Sequence, residues 1–188
     1  MHISLADYLL DIVQNSFEAE SPTVTVTIDQ SEKELFCSVV DSGKGMDELT
    51  QKRVLDPFFS EEGKHASRRV GLGLPFLHQA VEATEGAFAL ESTVGVGTTI
   101  SFSFMLEHID SPPLGDLALA FSTLLAHPLA KELSIHRRWE VKEKQGGYTL
   151  DRSELLEVLG ELESSGNLLL LRQFVASHEG ELPQELER

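Results

Sequence analysis

Apolar residues recur at helical spacing along residues 4–18, where Leu5, Leu9, Ile12, Val13 and Phe17 fall on one face. Ser4 and Asp7 suit a capping pair at its start, and Ser21-Pro22 ends it. Asp11, Asn15 and Glu18 stand at i, i+4 and i+7, which stacks three polar groups along one stripe of that helix. Thr23–Asp29 alternates threonine with valine and isoleucine, the period-two pattern of a strand. Ser31-Glu32-Lys33 reads as a turn, and Leu35–Val40 as a second, more continuously apolar strand. That strand stops at Asp41-Ser42-Gly43-Lys44-Gly45-Met46-Asp47, where two closely spaced glycines mark a sharp turn or a close approach.

Asp47–Leu55 predicts a short helix ended by Pro57, and residues 58–70 are polar and irregular. Gly71-Leu72-Gly73-Leu74-Pro75 then opens a helix through about Thr84, with the proline tolerated in the first turn. Ala87–Ser92 and Thr98–Leu106 read as strands joined by the Gly95–Gly97 turn. Residues 1–106 therefore run α-β-β-α-loop-α-β-β, which predicts an α+β layer sandwich with one mostly antiparallel sheet covered by helices. Pro112-Pro113 marks a break. Beyond it the pattern predicts a helix over Leu114–Ala126 and a hairpin, Ser134–Lys142 with Gly147–Leu150, turning at Gln145-Gly146-Gly147. A helix capped by Asp151 and another over Leu168–His178 follow. The expected division is residues 1–106 as one domain and 107–188 as a C-terminal α/β extension.

Composition narrows the function classes. With 15 Lys and Arg against 31 Asp and Glu, the formal charge of −16 repels nucleic-acid phosphate and anionic lipid. No apolar run approaches the ~18 residues of a membrane span, and the first residues lack the pattern of a signal peptide. A cytoplasmic protein is expected. The single cysteine, Cys37, excludes an internal disulfide and reads as a small buried hydrophobe within a strand. No histidine pair shows metal-ligand spacing. One segment breaks the acidic trend: Lys64, His65, Arg68 and Arg69 fall within six positions, either a candidate anion site or a solvated loop.

The candidate chemistry lies in the order of five motifs. They are Asp11-Ile12-Val13-Gln14-Asn15 on a helix, Asp41-x-Gly43-x-Gly45-Met46 after a strand, Asp56-Pro57-Phe58-Phe59 before a loop, Gly71-Leu72-Gly73-Leu74 opening a helix, and Gly95-x-Gly97-Thr98 in a hairpin. This set resembles the GHKL superfamily of ATP-binding domains, which includes gyrase B, MutL and the histidine-kinase catalytic domain. The resemblance spans roughly residues 5–106. It implies a Bergerat-type two-layer α/β sandwich with a mixed, mostly antiparallel sheet, and ATP and Mg²⁺ as cofactors.

Physical chemistry agrees with that implication. Backbone N–H groups of Gly71, Leu72, Gly73 and Leu74 at a helix start can stabilise phosphate, and glycine permits the close approach. One asparagine oxygen suffices for Mg²⁺, which keeps several waters. By resemblance, Asn15 is the Mg²⁺ ligand, Asp41 accepts from the exocyclic amine of adenine, and Gly43, Gly45 and Met46 let the ring approach. Thr98 completes the adenine contacts, directly or through water. The resemblance makes residues 58–70 a lid from which Lys64, Arg68 or Arg69 reaches the terminal phosphates. Asp11 stands where gyrase-type relatives carry the glutamate that activates water. Being one methylene shorter, it either acts as that base or works through the Mg²⁺ shell.

Ser177-His178-Glu179-Gly180 is set aside as a phosphoacceptor motif, because it follows the domain and Gly180 interrupts its helix. The segment Glu107–Asp116 and the region around Arg68–Pro75 resemble small stand-alone histidine-kinase-like proteins found in operons with iron-only hydrogenases. That implies a protein partner, redox or hydrogenase-related, docking through residues 107–188. Arg137, Arg138 and Trp139 are candidate contact residues there, against the alternative that their hairpin packs on its own helices. Three uses of ATP stay open: a slow ATPase or ATP-gated switch, a phosphotransferase acting in trans on His, Ser or Thr, and a module that never cleaves it.

Overall fold

The computed structural model describes residues 4–56, 73–183 and 186. It is an α+β protein with a six-stranded mixed sheet, in agreement with the expected Bergerat-type fold. Helix α1 spans Leu5–Glu18 and is closed at its start by the reciprocal Ser4–Asp7 capping box. Strands β1 (Thr23–Gln30) and β2 (Glu34–Asp41) form an antiparallel hairpin, followed by a short helix α2 (Glu48–Arg53). Helix α3 (Gly73–Ala83) leads into the β3 (Phe88–Thr93) and β4 (Gly97–Met105) hairpin. Then come α4 (Leu117–Leu125), β5 (Glu132–Val141), β6 (Lys144–Asp151), α5 (Arg152–Leu159) and α6 (Ser165–Glu179).

The sheet order is β3-β4-β2-β1-β5-β6. Period-two alternation sends Val24, Val26, Ile28, Leu35, Cys37, Val39, Ile100, Phe102, Phe104, Leu133 and Ile135 to the helix-covered face, where all are buried. Each such side chain contributes roughly 1.5–3 kcal/mol by leaving water. Their partners in alternation, among them Thr25, Thr27 and Ser38, are only partly covered on the other face. Cys37 is fully buried in the central strand, and burial pushes its thiol well above the usual range. Cys37 should therefore resist aromatic disulfide reagents in the native protein and react fully in denaturant. Fast native labelling would contradict its placement in the core.

The sheet does not stop at the Pro112-Pro113 break. Strand β5 joins β1 in parallel, Val26 opposite Ile135, and β6 extends the same sheet. The crossover through α4 makes that parallel pairing possible. The same segment closes the start of α1: Leu5 and Ala6 donate their N–H groups to the carbonyls of Pro113 and Leu114 at 2.9 and 3.0 Å. A Cβ on Gly115, at φ +74°, would lie 2.3 Å from Ser4 Oγ. These contacts delay α4, which begins at Leu117 rather than Leu114 and is capped by Asp116.

Three expectations need correction. The β5–β6 hairpin turns at Lys142-Glu143, not at Gln145-Gly146-Gly147, and Lys142 takes the positive φ of +54°. The glycines serve close approach instead: a Cβ on Gly146 would lie 2.4 Å from the Trp139 ring, and one on Gly147 2.3 Å from the Arg137 carbonyl. Asp151 occupies the N-cap position of α5 but makes no cap hydrogen bond; its carboxylate accepts from the Ser134 hydroxyl across the strands. Arg137 is not a surface contact residue. It is fully buried, with Nε 3.3 Å from Glu179 Oε1, and it also donates to Gln30 and to the Arg138 carbonyl. Trp139 packs beside Val141, Leu182 and Leu186, while Arg138 holds Asp29 in a bidentate pair at 2.6 and 2.7 Å.

Candidate functional site

Helix α1 carries Asp11 and Asn15 one turn apart, and Asn15 is exposed. The Asn15 amide nitrogen donates to Asp11 Oδ2 at 3.3 Å, which leaves the amide oxygen as the atom suited to a cation. Asp11 also lies against the first residue of α3: a Cβ on Gly73 would meet Asp11 Oδ2 at 1.8 Å. The glycine thus makes room for a carboxylate beside a helix start. Leu74, the next residue of α3, packs partly buried against the core.

Strand β2 delivers Asp41 at its last position. Ser16, one residue past Asn15 on α1, donates to Asp41 Oδ2 at 3.1 Å. The Gly43 N–H donates to Asp41 Oδ1 at 2.8 Å. Two donors fix the carboxylate plane and leave further lone pairs for an incoming donor. A Cβ on Gly43 would come within 3.0 Å of both Asp41 Oδ1 and the Ala19 carbonyl. Gly45, at φ +63°, is more constrained still, since a Cβ there would lie 2.0 Å from the Thr93 carbonyl. Lys44, between the two glycines, is exposed.

Thr98 is buried and sits directly opposite Asp41 in the β2–β4 register, so both side chains share one face. It contacts Ser92, whose hydroxyl also takes the Met46 N–H at 2.8 Å. Gln51 of α2 donates to the carbonyls of Met46 and Ser92, which ties the glycine loop to β3. Asp47 caps α2, and the Thr50 N–H holds its carboxyl below the usual range.

The structure thus brings Asp11, Asn15 and Gly73 together at one end and Asp41, Gly43, Gly45, Met46 and Thr98 at the other. Lys64, Arg68, Arg69, Gly71 and Leu72 lie outside the described residues, as do His65, Phe58 and Phe59. Two positioning groups escape the sequence reading. Ser16 sits off the polar stripe of α1, and only its immediate neighbour Asn15 points to it. Ser92 is found by counting outward from the Gly95 tip, which sets it opposite Thr98.

The donor set fits a purine nucleotide with Mg²⁺. It offers an anchored carboxylate for an exocyclic amine, glycine cradles that a Cβ would fill, and an amide oxygen on the side of a second carboxylate. Among the described residues no group of three or more His, Cys, Asp and Glu is placed to hold a metal by itself. A broad open groove of about 1070 Å³ lies elsewhere, along Asp29, Phe36, His136 and Arg138 at the far side of the sheet. Its Asp29 carboxylate is already held by the Arg138 guanidinium, and its glycines approach Trp139 and the Arg137 carbonyl. Among the described residues no helix is long and apolar enough to cross a membrane.

Comparison with known proteins places the chain in a family. Residues 2–108 match the family model described as "Histidine kinase-, DNA gyrase B-, and HSP90-like ATPase". The sensor histidine kinase WalK of Bacillus subtilis is 33% identical over 106 residues, covering 53% of this chain and 17% of that protein. The heme sensor protein HssS of Staphylococcus saprophyticus is 31% identical over 81 residues, covering 43% of this chain and 17% of that protein. The chain therefore spans only about a sixth of the length of these curated relatives. The crystal structure of the N-terminal domain of a DNA repair protein has a similar fold, with a TM-score of 0.51 at 13% identity, over 88% of this chain and 58% of that one. The match over more than half the chain shows that this protein belongs to the histidine kinase-like ATPase family and carries its ATP-binding domain.

Proposed function

We propose that the chain binds ATP·Mg²⁺ between α1, the Asp41–Met46 loop and the start of α3, and works as a slow ATPase or ATP-gated switch. The observation that carries this reading is the seat of Asp11, whose carboxylate holds the Asn15 amide and lies against Gly73. Asp41 accepts from the adenine amine, Gly43 and Gly45 admit the ring beside Met46, and Thr98 completes the base contacts. Asn15 holds Mg²⁺, which supplies charge neutralisation on the phosphates. Phosphate binding is assigned to backbone N–H groups of the Gly71–Leu74 segment. Lys64, Arg68 or Arg69 adds positive charge from the lid. Asp11 orients and deprotonates the attacking water. A protein partner that reads the nucleotide state docks on residues 107–188.

A second reading is transfer of the γ-phosphoryl group in trans to a His, Ser or Thr of a partner. The sensor histidine kinase WalK among the relatives favours it. Following terminally labelled ATP separates these uses. With Mg²⁺ and pure protein, label is expected as free phosphate. Asp11→Asn should slow that release by about 100-fold or more while leaving ATP bound. Unchanged hydrolysis in the variant dismisses Asp11 as the base. With cell extract added, label captured on another protein supports phosphotransfer, and label retained in bound ATP identifies a nucleotide-gated module.

A further inference from the structure

Helices α4 and α6 pack side by side, and each buries one stripe: Leu117, Phe121 and Leu124 on α4, Leu171 and Val175 on α6. A surface helix ordinarily carries charged residues on its opposite stripe. They are missing here. Helix α4 has no charged residue, and α6 has one before its last two positions, Arg172. Arg172 is neutralised by Asp116 at 2.7 Å, in a half-exposed pair that bridges the two helices. Near that pair and along α6, Leu119, Leu169, Leu170 and Phe174 remain 46–56% exposed. Leu170, Gln173 and Ser177 follow one another at steps of three and four, on the side of α6 away from Leu171 and Val175, and all three are exposed.

We infer that this α4–α6 face is the contact surface between two copies of the chain in solution. Charge selects that occupant. With a formal charge of −16, two copies repel one another over most of their surface, and the repulsion is least where a face carries no net charge. A basic partner, which the acidic chain otherwise attracts, finds only Asp116 here, already held by Arg172. A two-fold contact uses the same patch twice. Arg172 of one copy can then face Asp116 of the other, and no charge is left unpaired. The exposed leucines meet leucines. Size sets the strength. At 1.5 Å per residue and ~10 Å across, helices of 9 and 15 residues present a face of roughly 350 Å² per copy. That suits a weak, reversible dimer rather than a permanent one.

Sedimentation velocity on the full chain without nucleotide tests this. From about 1 to about 200 µM the mean mass should rise from 20.8 kDa toward twice that value, with a midpoint in the tens of micromolar. Added NaCl should strengthen the association by screening the repulsion between the two acidic copies. Weakening by salt would mean that ion pairs hold the contact and would overturn the inference. A monomer throughout the range, or a mass that climbs past the dimer, would overturn it too, and these arms need no variant. Leu170→Glu and Leu119→Glu place a carboxylate on the face at exposed positions. Each should weaken association at least about tenfold with little change in melting. Leu49→Glu, 57% exposed on α2, should leave association unchanged, and an equal loss there would remove the assignment to α4 and α6. The inference stands apart from the nucleotide reading: a chain that dimerises through this face but binds no ATP would remove the functional proposal alone.

Discussion

Replacing Asp41 with alanine is expected to weaken ATP binding by about 100- to 1000-fold without unfolding the protein. The carboxylate is the group proposed to take the adenine amine. Losing a charged hydrogen-bond partner, with the amine left buried and unpaired, costs about 3–4 kcal/mol. Its protein partners explain why the fold should tolerate the change. The Ser16 hydroxyl can give its proton to the Ile12 carbonyl at 3.3 Å instead, and Gly43 lies in a loop that can take water. Thermal melting should therefore move little, while a fluorescent ATP analogue should no longer be displaced at ordinary ATP concentrations. Asp41→Asn separates charge from geometry. It keeps an oxygen acceptor but can turn an amide N–H toward the base, so it should bind ATP poorly and lose less against guanine nucleotides. Wild-type affinity in Asp41→Ala would move the base-binding role away from this residue.

Arg137→Ala should produce the largest loss of stability, about 3–5 kcal/mol, which for a chain of this length lowers Tm by about 10 °C. The guanidinium is fully buried and joins three elements. It pairs with Glu179 at the end of α6, donates to Gln30 on β1, and holds the Arg138 carbonyl. Gln30 in turn donates to the Leu186 carbonyl at 3.1 Å, and Tyr148 donates to Glu179 at 2.5 Å. Burial and the Glu179 charge push the Tyr148 phenol well above its usual range, so it stays a donor at any ordinary pH. Truncation would leave Glu179 charged and only partly exposed beside an empty space, and Gln30 without its donor. Arg137→Lys keeps the charge but not the planar fork, so it should recover only part of the loss. Unchanged melting in Arg137→Ala would show that this network adds nothing to the fold.

Much of the first half was legible because its signals are local. The stripe from Leu5 to Phe17, the Ser4–Asp7 capping pair and the alternation of Thr23–Asp29 each depend on neighbours within about one turn or a few strand residues. Helix α1, strand β1 and the Ser4–Asp7 box follow closely. The motif glycines were legible as constrained positions, and Gly45 and Gly73 are indeed sites where a Cβ would strike the Thr93 carbonyl and the Asp11 carboxylate. Gly146 and Gly147 mislead for the same reason. A glycine pair signals either a turn or a close approach, and sequence alone does not say which.

His178 illustrates the converse. Its neighbours suggest chemistry, yet its ring stacks on Tyr148 at 5.0 Å and meets Phe174 edge-on at 4.6 Å, a packing role at the end of α6. Asp151 carries a capping signature but is taken by Ser134 instead. In both cases a partner from a distant strand or helix outcompetes the local preference.

By itself the sequence determined the helices and strands of the first half, the family motifs and the positions of Asp11, Asn15, Asp41 and Thr98 along the chain. The tertiary structure alone decided that β5 lies parallel to β1, that Pro113 and Leu114 close the first turn of α1, that Arg137 is interior, and that Ser16 and Ser92 support Asp41 and Thr98. The division follows from range. Periodicity, capping and glycine freedom act between residues a few positions apart, whereas pairings such as Gln30 with Arg137 join residues 107 positions apart and arise only when the whole sheet has assembled.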